Sequence, residues 1–145
     1  MRQACGFLLL LLLAISASAQ SRLTIDKMDR KGINLASKEV PYSTLLEGTV
    51  DSPDLAVFVM VYESRIKAWR SYRATVLDQA PDSTGSYRWN VICHFGEFDG
   101  RGKGNDYQVR VIAIKPEQLN KFDWSKPFEA SLLRSNTLSL KRTSD

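Results

Sequence analysis

A single histidine, His94, and two cysteines, Cys5 and Cys93, are all that this 145-residue chain offers of those two side chains. One histidine excludes zinc centres built on two or three His ligands and leaves few routes to a metal hydrolase. The chain contains neither a Gly-x-Ser-x-Gly nucleophile elbow nor a phosphate-cradling Gly-x-x-x-x-Gly-Lys-Ser/Thr loop, so two common hydrolase and nucleotide-binding readings fall away. Charge of one sign is also scarce: 20 Lys and Arg stand against 16 Asp and Glu, a formal +4. That mild excess falls short of the dense basic character of nucleic-acid binders. The chain also lacks a convincing long amphipathic helix, and its one long apolar run, Phe7 to Ile15, is too short for the roughly 20 residues a membrane-spanning helix needs.

That run has another meaning. Arg2 precedes it and Ser16-Ala17-Ser18-Ala19 follows, the arrangement of a secretory signal peptide with an Ala-x-Ala cleavage site. Cys5 lies ahead of the apolar run, where a lipid-anchoring cysteine would follow it. Cleavage after Ala19 would leave residues 20–145, or 145 less 19, as one exported domain of 126 residues, secreted or periplasmic and long enough to bury a real core. Arg2 and Cys5 leave with residues 1–19, so 19 basic side chains (20 less Arg2) face 16 acidic ones, and Cys93 is the only thiol. An intrachain disulfide is then impossible, and an apolar core must hold the domain. Cys93 is in phase with Tyr87, Trp89, Val91 and Phe95, which predicts a buried, inert thiol.

The remaining pattern is that of strands. Tyr107 to Ile114 carries Tyr107, Val109, Val111 and Ala113 on one face and begins the other with Gln108 and Arg110, the alternation of a half-buried strand. Leu55 to Glu63 is apolar on both faces and predicts a central strand, covered on both sides or carrying an exposed apolar face. Tyr42 to Val50, Trp69 to Asp78 as the return of a hairpin, Ser86 to Phe95, and Asn136 to Arg142 complete the clear set. Leu23-Thr24-Ile25 and Phe128 to Leu133 are shorter candidates, Asp26 to Glu39 reads as loop, and Pro116 can open a short helix. Ile92 breaks the alternation of its strand. Ile112 and Ile114 turn the outer side of the central strand apolar, so either residues 115–135 fold back over them or another molecule binds there.

Short strands separated by turn signals predict an all-β, antiparallel β-sandwich. The run Asn105-Asp106-Tyr107-Gln-Val109-Arg-Val111-Ile-Ala113 resembles the penultimate strand of fibronectin type III and related immunoglobulin-like domains. Gly48-Thr-Val50, Leu55 to Tyr62, Trp69 and Gly85-Ser-Tyr-Arg-Trp89 are similar to exported bacterial members of that group. The resemblance covers most of residues 42–114. It implies that Tyr107 makes the tyrosine-corner hydrogen bond of such sandwiches, and it departs in residues 115–135 and in the missing cysteine pair. It implies a scaffold and no active site.

Candidate chemistry is sparse. Cys93 and His94 are adjacent, yet neighbours on a strand point to opposite faces, so they do not form a thiol–imidazole pair. Glu97, Asp99, Asn105 and Asp106 place oxygen donors in the Gly-rich loop 96–106, but their spacing matches no ordered Ca²⁺ loop, and Arg101 and Lys103 sit among them. Glu97 and Asp99 as a glycosidase pair lack a defined separation. No cofactor is expected. The informative stretch is Arg65 to Arg73, where Trp69, Arg70, Tyr72 and Arg73 form the candidate binding set: aromatics that anchor interfaces or stack on sugars, with planar cationic donors. Trp69 and Tyr72 differ by three, so an unbroken strand cannot turn both outward, and core and surface roles both stand open. The expectation is a non-enzymatic binding or adhesion-type module for a protein partner outside the cytoplasm. The alternative is a module for a surface glycan, with Trp69, Tyr72 or Trp124 as platform.

Overall fold

The computed structural model describes residues 22–34, 36–77 and 80–143. The leader through Ala19 and Asp78 lie outside the described residues. Two sheets pack face to face in an all-β sandwich. One contains β1 (Lys27–Met28), β2 (Lys31–Gly32), β4 (Ser43–Val50), β7 (Thr75–Val76) and β8 (Tyr87–His94), in the order β2-β1-β4-β8-β7. The other contains β3 (Glu39–Val40), β5 (Ala56–Glu63), β6 (Ala68–Arg73), β9 (Asp106–Ile114) and β11 (Leu138–Arg142), in the order β3-β11-β9-β5-β6. The short β10 (Leu133–Arg134) also pairs with β9, and the β3–β11 ladder is the parallel one. Tyr107 to Ile114 is therefore central, with β5 along one side and β10 and β11 along the other.

Period-two patterning builds the core between the sheets. Leu46, Val50, Trp89, Cys93 and Phe95 from the first sheet meet Val57, Val59, Val61, Tyr107, Val109, Val111, Leu138 and Leu140 from the second. Each fully buried large apolar side chain contributes roughly 1.5–3 kcal/mol. Trp89 lies across Gly48, its cross-strand partner. A β-carbon at Gly48 would sit 1.9 Å from the Thr24 carbonyl oxygen and 2.5 Å from a ring carbon of Trp89, so only glycine fits. The indole N–H then donates to the Thr49 carbonyl at 3.2 Å.

A second apolar cluster covers the outer face of the β5–β9 pair. Ala56, Phe58, Met60, Ile112 and Ile114 are buried there beneath Leu119, Phe122 and Phe128. The 3₁₀ turn Pro116–Lys121 and the helical turn α1 (Pro127–Ala130) bring these residues over the sheet. Trp124 packs edge-on to Phe58 at 5.1 Å, Phe128 edge-on to Trp69 at 4.8 Å, and the Arg110 guanidinium lies 4.2 Å from the Phe128 ring centre. Folding back of the 115–132 stretch thus explains both the two-sided apolar β5 and the change of polarity along β9.

Several local expectations need correction. Phe128 to Leu133 is strand only at Leu133–Arg134, because Pro127, with its fixed φ, opens a helical turn and Phe128 becomes a plug. The stretch Asp26 to Glu39 is more than loop: it holds the β1–β2 hairpin, turning at Asp29 and Arg30 with φ of 47° and 67°. Leu23 makes only an isolated bridge to Val50. The return strand of the β5 hairpin stops at Arg73; Ala74 still donates to Val57, but Thr75 already pairs with Asn90 in the opposite sheet. Ile92 is the outward residue opposite Leu45 and is 57% exposed. Finally, β10 and β11 are joined through Ser135, whose hydroxyl accepts from the Val111 amide at 2.9 Å while its own amide donates to the Val111 carbonyl at 2.9 Å.

Candidate binding surface

Strand β6 ends its sheet, and among the described residues no strand pairs with its far side. The Ala74–Val57 hydrogen bond fixes the phase of the β5–β6 ladder. Hydrogen-bonded pairs in an antiparallel ladder recur every two residues, so Ala68, Arg70 and Tyr72 bond to β5. Trp69, Ser71 and Arg73 direct their backbone N–H and C=O groups outward along the free edge. Ser71 and Arg73 are exposed and Trp69 is half-buried. The hairpin loop beside them carries exposed Arg65 and Lys67, with Lys67 at φ 51°.

The strand divides the four nominated residues between two faces. Trp69 and Arg73 lie on the outer face, Trp69 against Tyr62 and Phe128 and Arg73 with its guanidinium 6.0 Å from the Phe58 ring centre. Arg70 and Tyr72 point to the inner side. Tyr72 packs on the main core and donates its hydroxyl to the His94 carbonyl at 3.0 Å; burial raises its pKa. Arg70 binds the Glu97 carboxylate at 2.5 Å and reaches within 3.8 Å of Glu63. That hydrogen bond raises the Arg70 pKa and lowers that of Glu97.

Arg70 belongs to a polar network that builds the Gly-rich loop. Glu63, 1% exposed, accepts from Arg65 Nε at 2.8 Å. Arg142, 2% exposed, donates through Nη1 to the carbonyls of Glu97 and Arg101 at 2.9 and 3.0 Å. Its guanidinium carbon lies 5.2 Å from the Tyr42 ring centre. Tyr107 donates its hydroxyl to the Gly102 carbonyl at 3.1 Å, the corner contact that the resemblance implied. Gly96 and Gly102 have φ of 80° and 94°, and a β-carbon at either would fall within 3 Å of the Tyr107 hydroxyl. Loop carboxylates serve the loop itself: Glu97 holds Arg70, while Asp99 accepts from the Arg101 amide and guanidinium, first of which lowers its pKa. Among the described residues no group of three or more His, Cys, Asp or Glu is placed to hold a metal ion.

Cys93 and His94 do face apart. Cys93 is fully buried, and burial raises its thiol pKa. His94 lies outward, its Nδ1 2.9 Å from the Ser43 hydroxyl and its ring stacked on Tyr42 at 4.8 Å. Of the tryptophans, Trp89 is buried, Trp69 half-buried and Trp124 42% exposed. Phe98, 87% exposed at the loop tip beside Tyr42, was not singled out by sequence, since nothing in a polar Gly-rich run marks an aromatic as displayed. Glu63 and Arg142 did carry a signal: each continues the inward phase of its strand, after Val57, Val59 and Val61 in one case and after Leu138 and Leu140 in the other.

Among the described residues no helix is long and apolar enough to cross a membrane. Comparison with protein-family models, with curated proteins and with solved structures returns no match.

Proposed function

We propose that this chain is an exported, non-enzymatic binding module of immunoglobulin-like or fibronectin type III-like architecture that engages a protein partner along the β5–β6 hairpin. The order β1-β4-β8-β7 opposed to β11-β9-β5-β6 follows the A-B-E-D and G-F-C-C′ arrangement of such domains, and Tyr107 occupies the corner position. The observation that carries the binding reading is the free edge of β6 with Arg65, Lys67 and Arg73 exposed around it. An edge of this kind offers backbone groups for pairing, and cations beside it steer an acidic partner.

The test is capture from native envelope extract with tagged protein. A double reversal, Lys67→Glu with Arg73→Glu, should lose the captured partner while retaining the parent's unfolding midpoint. Arg70 is left intact because it holds Glu97. Retention of the same partner by the double variant overturns the reading. The glycan alternative rests on Trp124, whose ring is partly open to solvent. It requires co-sedimentation with insoluble polysaccharide that Trp124→Ala abolishes.

A further inference from the structure

Resting on that reading, we infer that the partner presents an extended acidic segment that adds to β6 as an antiparallel strand. Three outward-facing residues, Trp69, Ser71 and Arg73, each offer one N–H and one C=O to an incoming chain, in the spacing of hydrogen-bonded antiparallel pairs. Their side chains share the outer face of the sheet, so the same edge also specifies what the segment carries. Let residue n of the segment stand opposite Arg73. Antiparallel pairing then places n+2 opposite Ser71, n+4 opposite Trp69 and n+6 beside Lys67. Residue n is acidic to meet the Arg73 guanidinium, and n+4 is apolar to lie on the exposed part of Trp69. Residue n+2 is small or β-branched over Ser71, and n+6 is acidic again near Lys67.

Charge decides against a second copy of this chain as occupant. Edge-to-edge pairing of two β6 strands about Ser71 would gather Lys67 and Arg73 from both copies around one short ladder, while Glu63 and Glu97 beside the hairpin are engaged by Arg65 and Arg70 and leave that charge unbalanced. The cations thus discourage self-pairing and favour an acidic strand. The outer face of the same sheet cannot supply the contact, because residues 115–132 already cover Phe58, Ile112 and Ile114. Among the described residues the β6 edge, six residues long, remains open, whereas the other edge strands, β2, β3 and β7, have two residues each.

The probe is the capped peptide Glu-Thr-Val-Thr-Val-Thr-Glu, with Glu at n and n+6 and Val at n+2 and n+4. Titration followed by amide hydrogen exchange should show new protection at Trp69, Ser71 and Arg73, whose amides face the side of β6 on which no strand pairs among the described residues. A peptide with Lys in place of both Glu should bind about tenfold more weakly; Arg73→Glu should erase that preference, and Lys67→Glu with Arg73→Glu should reverse it. N-methylation of the Val amide at n+2, which faces β6, should abolish binding, whereas N-methylation of the Thr amide at n+3, which faces away, should not. The inference is overturned by absence of saturable binding up to about 1 mM, by protection at other strands, or by equal tolerance of both N-methyl groups. It is equally overturned if the protein sediments as a dimer with those three amides already protected. If Lys67→Glu with Arg73→Glu abolishes native capture while the peptide leaves the edge amides unprotected, hairpin binding stands and strand addition falls.

Discussion

Replacing Arg142 with Met should detach the Gly-rich loop from the sandwich. The guanidinium is 2% exposed and makes two hydrogen bonds to the carbonyls of Glu97 and Arg101. Hydrogen bonds involving a charged donor are worth about 1.5–3 kcal/mol each. Removing both would cost about 3–6 kcal/mol, less the relief of no longer burying a cation that has no ion pair with a carboxylate among the described residues. The net expectation is about 2–4 kcal/mol, a large share of the roughly 5–15 kcal/mol typical of a domain. At an unfolding entropy of about 2.1 cal/mol/K per residue, 3 kcal/mol lowers Tm by roughly 10 °C. Urea unfolding followed by tryptophan fluorescence measures the global part. Hydrogen exchange measures the local part: the Glu97 and Gly100 amides, bonded to Arg101 and Glu97 carbonyls, should lose protection well before Val59 or Val111. Arg142→Lys keeps the charge but not the fork, and should fall between. A loss below about 0.5 kcal/mol with unchanged loop exchange would refute the claim that Arg142 organises the loop.

Gly48→Ala should cost about 2–4 kcal/mol, since the new methyl must displace Trp89 and with it the indole bond to Thr49; a red-shifted native emission with a lowered urea midpoint checks it. Acid should loosen the loop through Glu97. Its folded pKa is depressed by Arg70, so its contribution is present above the usual carboxylate range near about 4.3 and is lost as pH falls through the folded value; Glu97→Gln should flatten that part of the exchange profile. Alkali should act through Cys93, whose raised folded pKa means that only the unfolded thiol ionises above about 8.5. Stability should drop by about 1 kcal/mol between pH 8.5 and 9.5, and Cys93→Ala should remove that slope whatever it does to the baseline.

What the sequence made legible was whatever depends on period-two burial. The central place of Tyr107 to Ile114, the two-sided β5, the inward Cys93 and the opposed directions of Cys93 and His94 all follow from alternation alone. Less legible were features set by a single residue's tertiary use. Phe128 alternates well enough to pass for strand, but Pro127 and the apolar face of β9 make it a plug. Trp69 to Asp78 reads as one strand because no side chain announces that Ala74 changes sheet. The four residues nominated for binding were readable as a cluster in sequence but not as two pairs on opposite faces, and Arg70 is committed to Glu97, a partner 27 positions away. Glu63 and Arg142 could have been placed by strand phase. Charge argued for the surface, and phase was the better guide.

The paired roles of Ser135 and Arg142 bear on how the molecule responds to load. Ser135 ties the end of β10 to Val111, so β11 can peel from β9 without disturbing the strand before it. A pull applied beyond Arg142 that detaches Leu138–Arg142 from β9 and β3 would in the same event withdraw the guanidinium from the carbonyls of Glu97 and Arg101. Tension on that end of the chain and order in the Phe98 loop are therefore one mechanical variable. A tether fused there would report on, and could release, a surface on the far side of the primary structure.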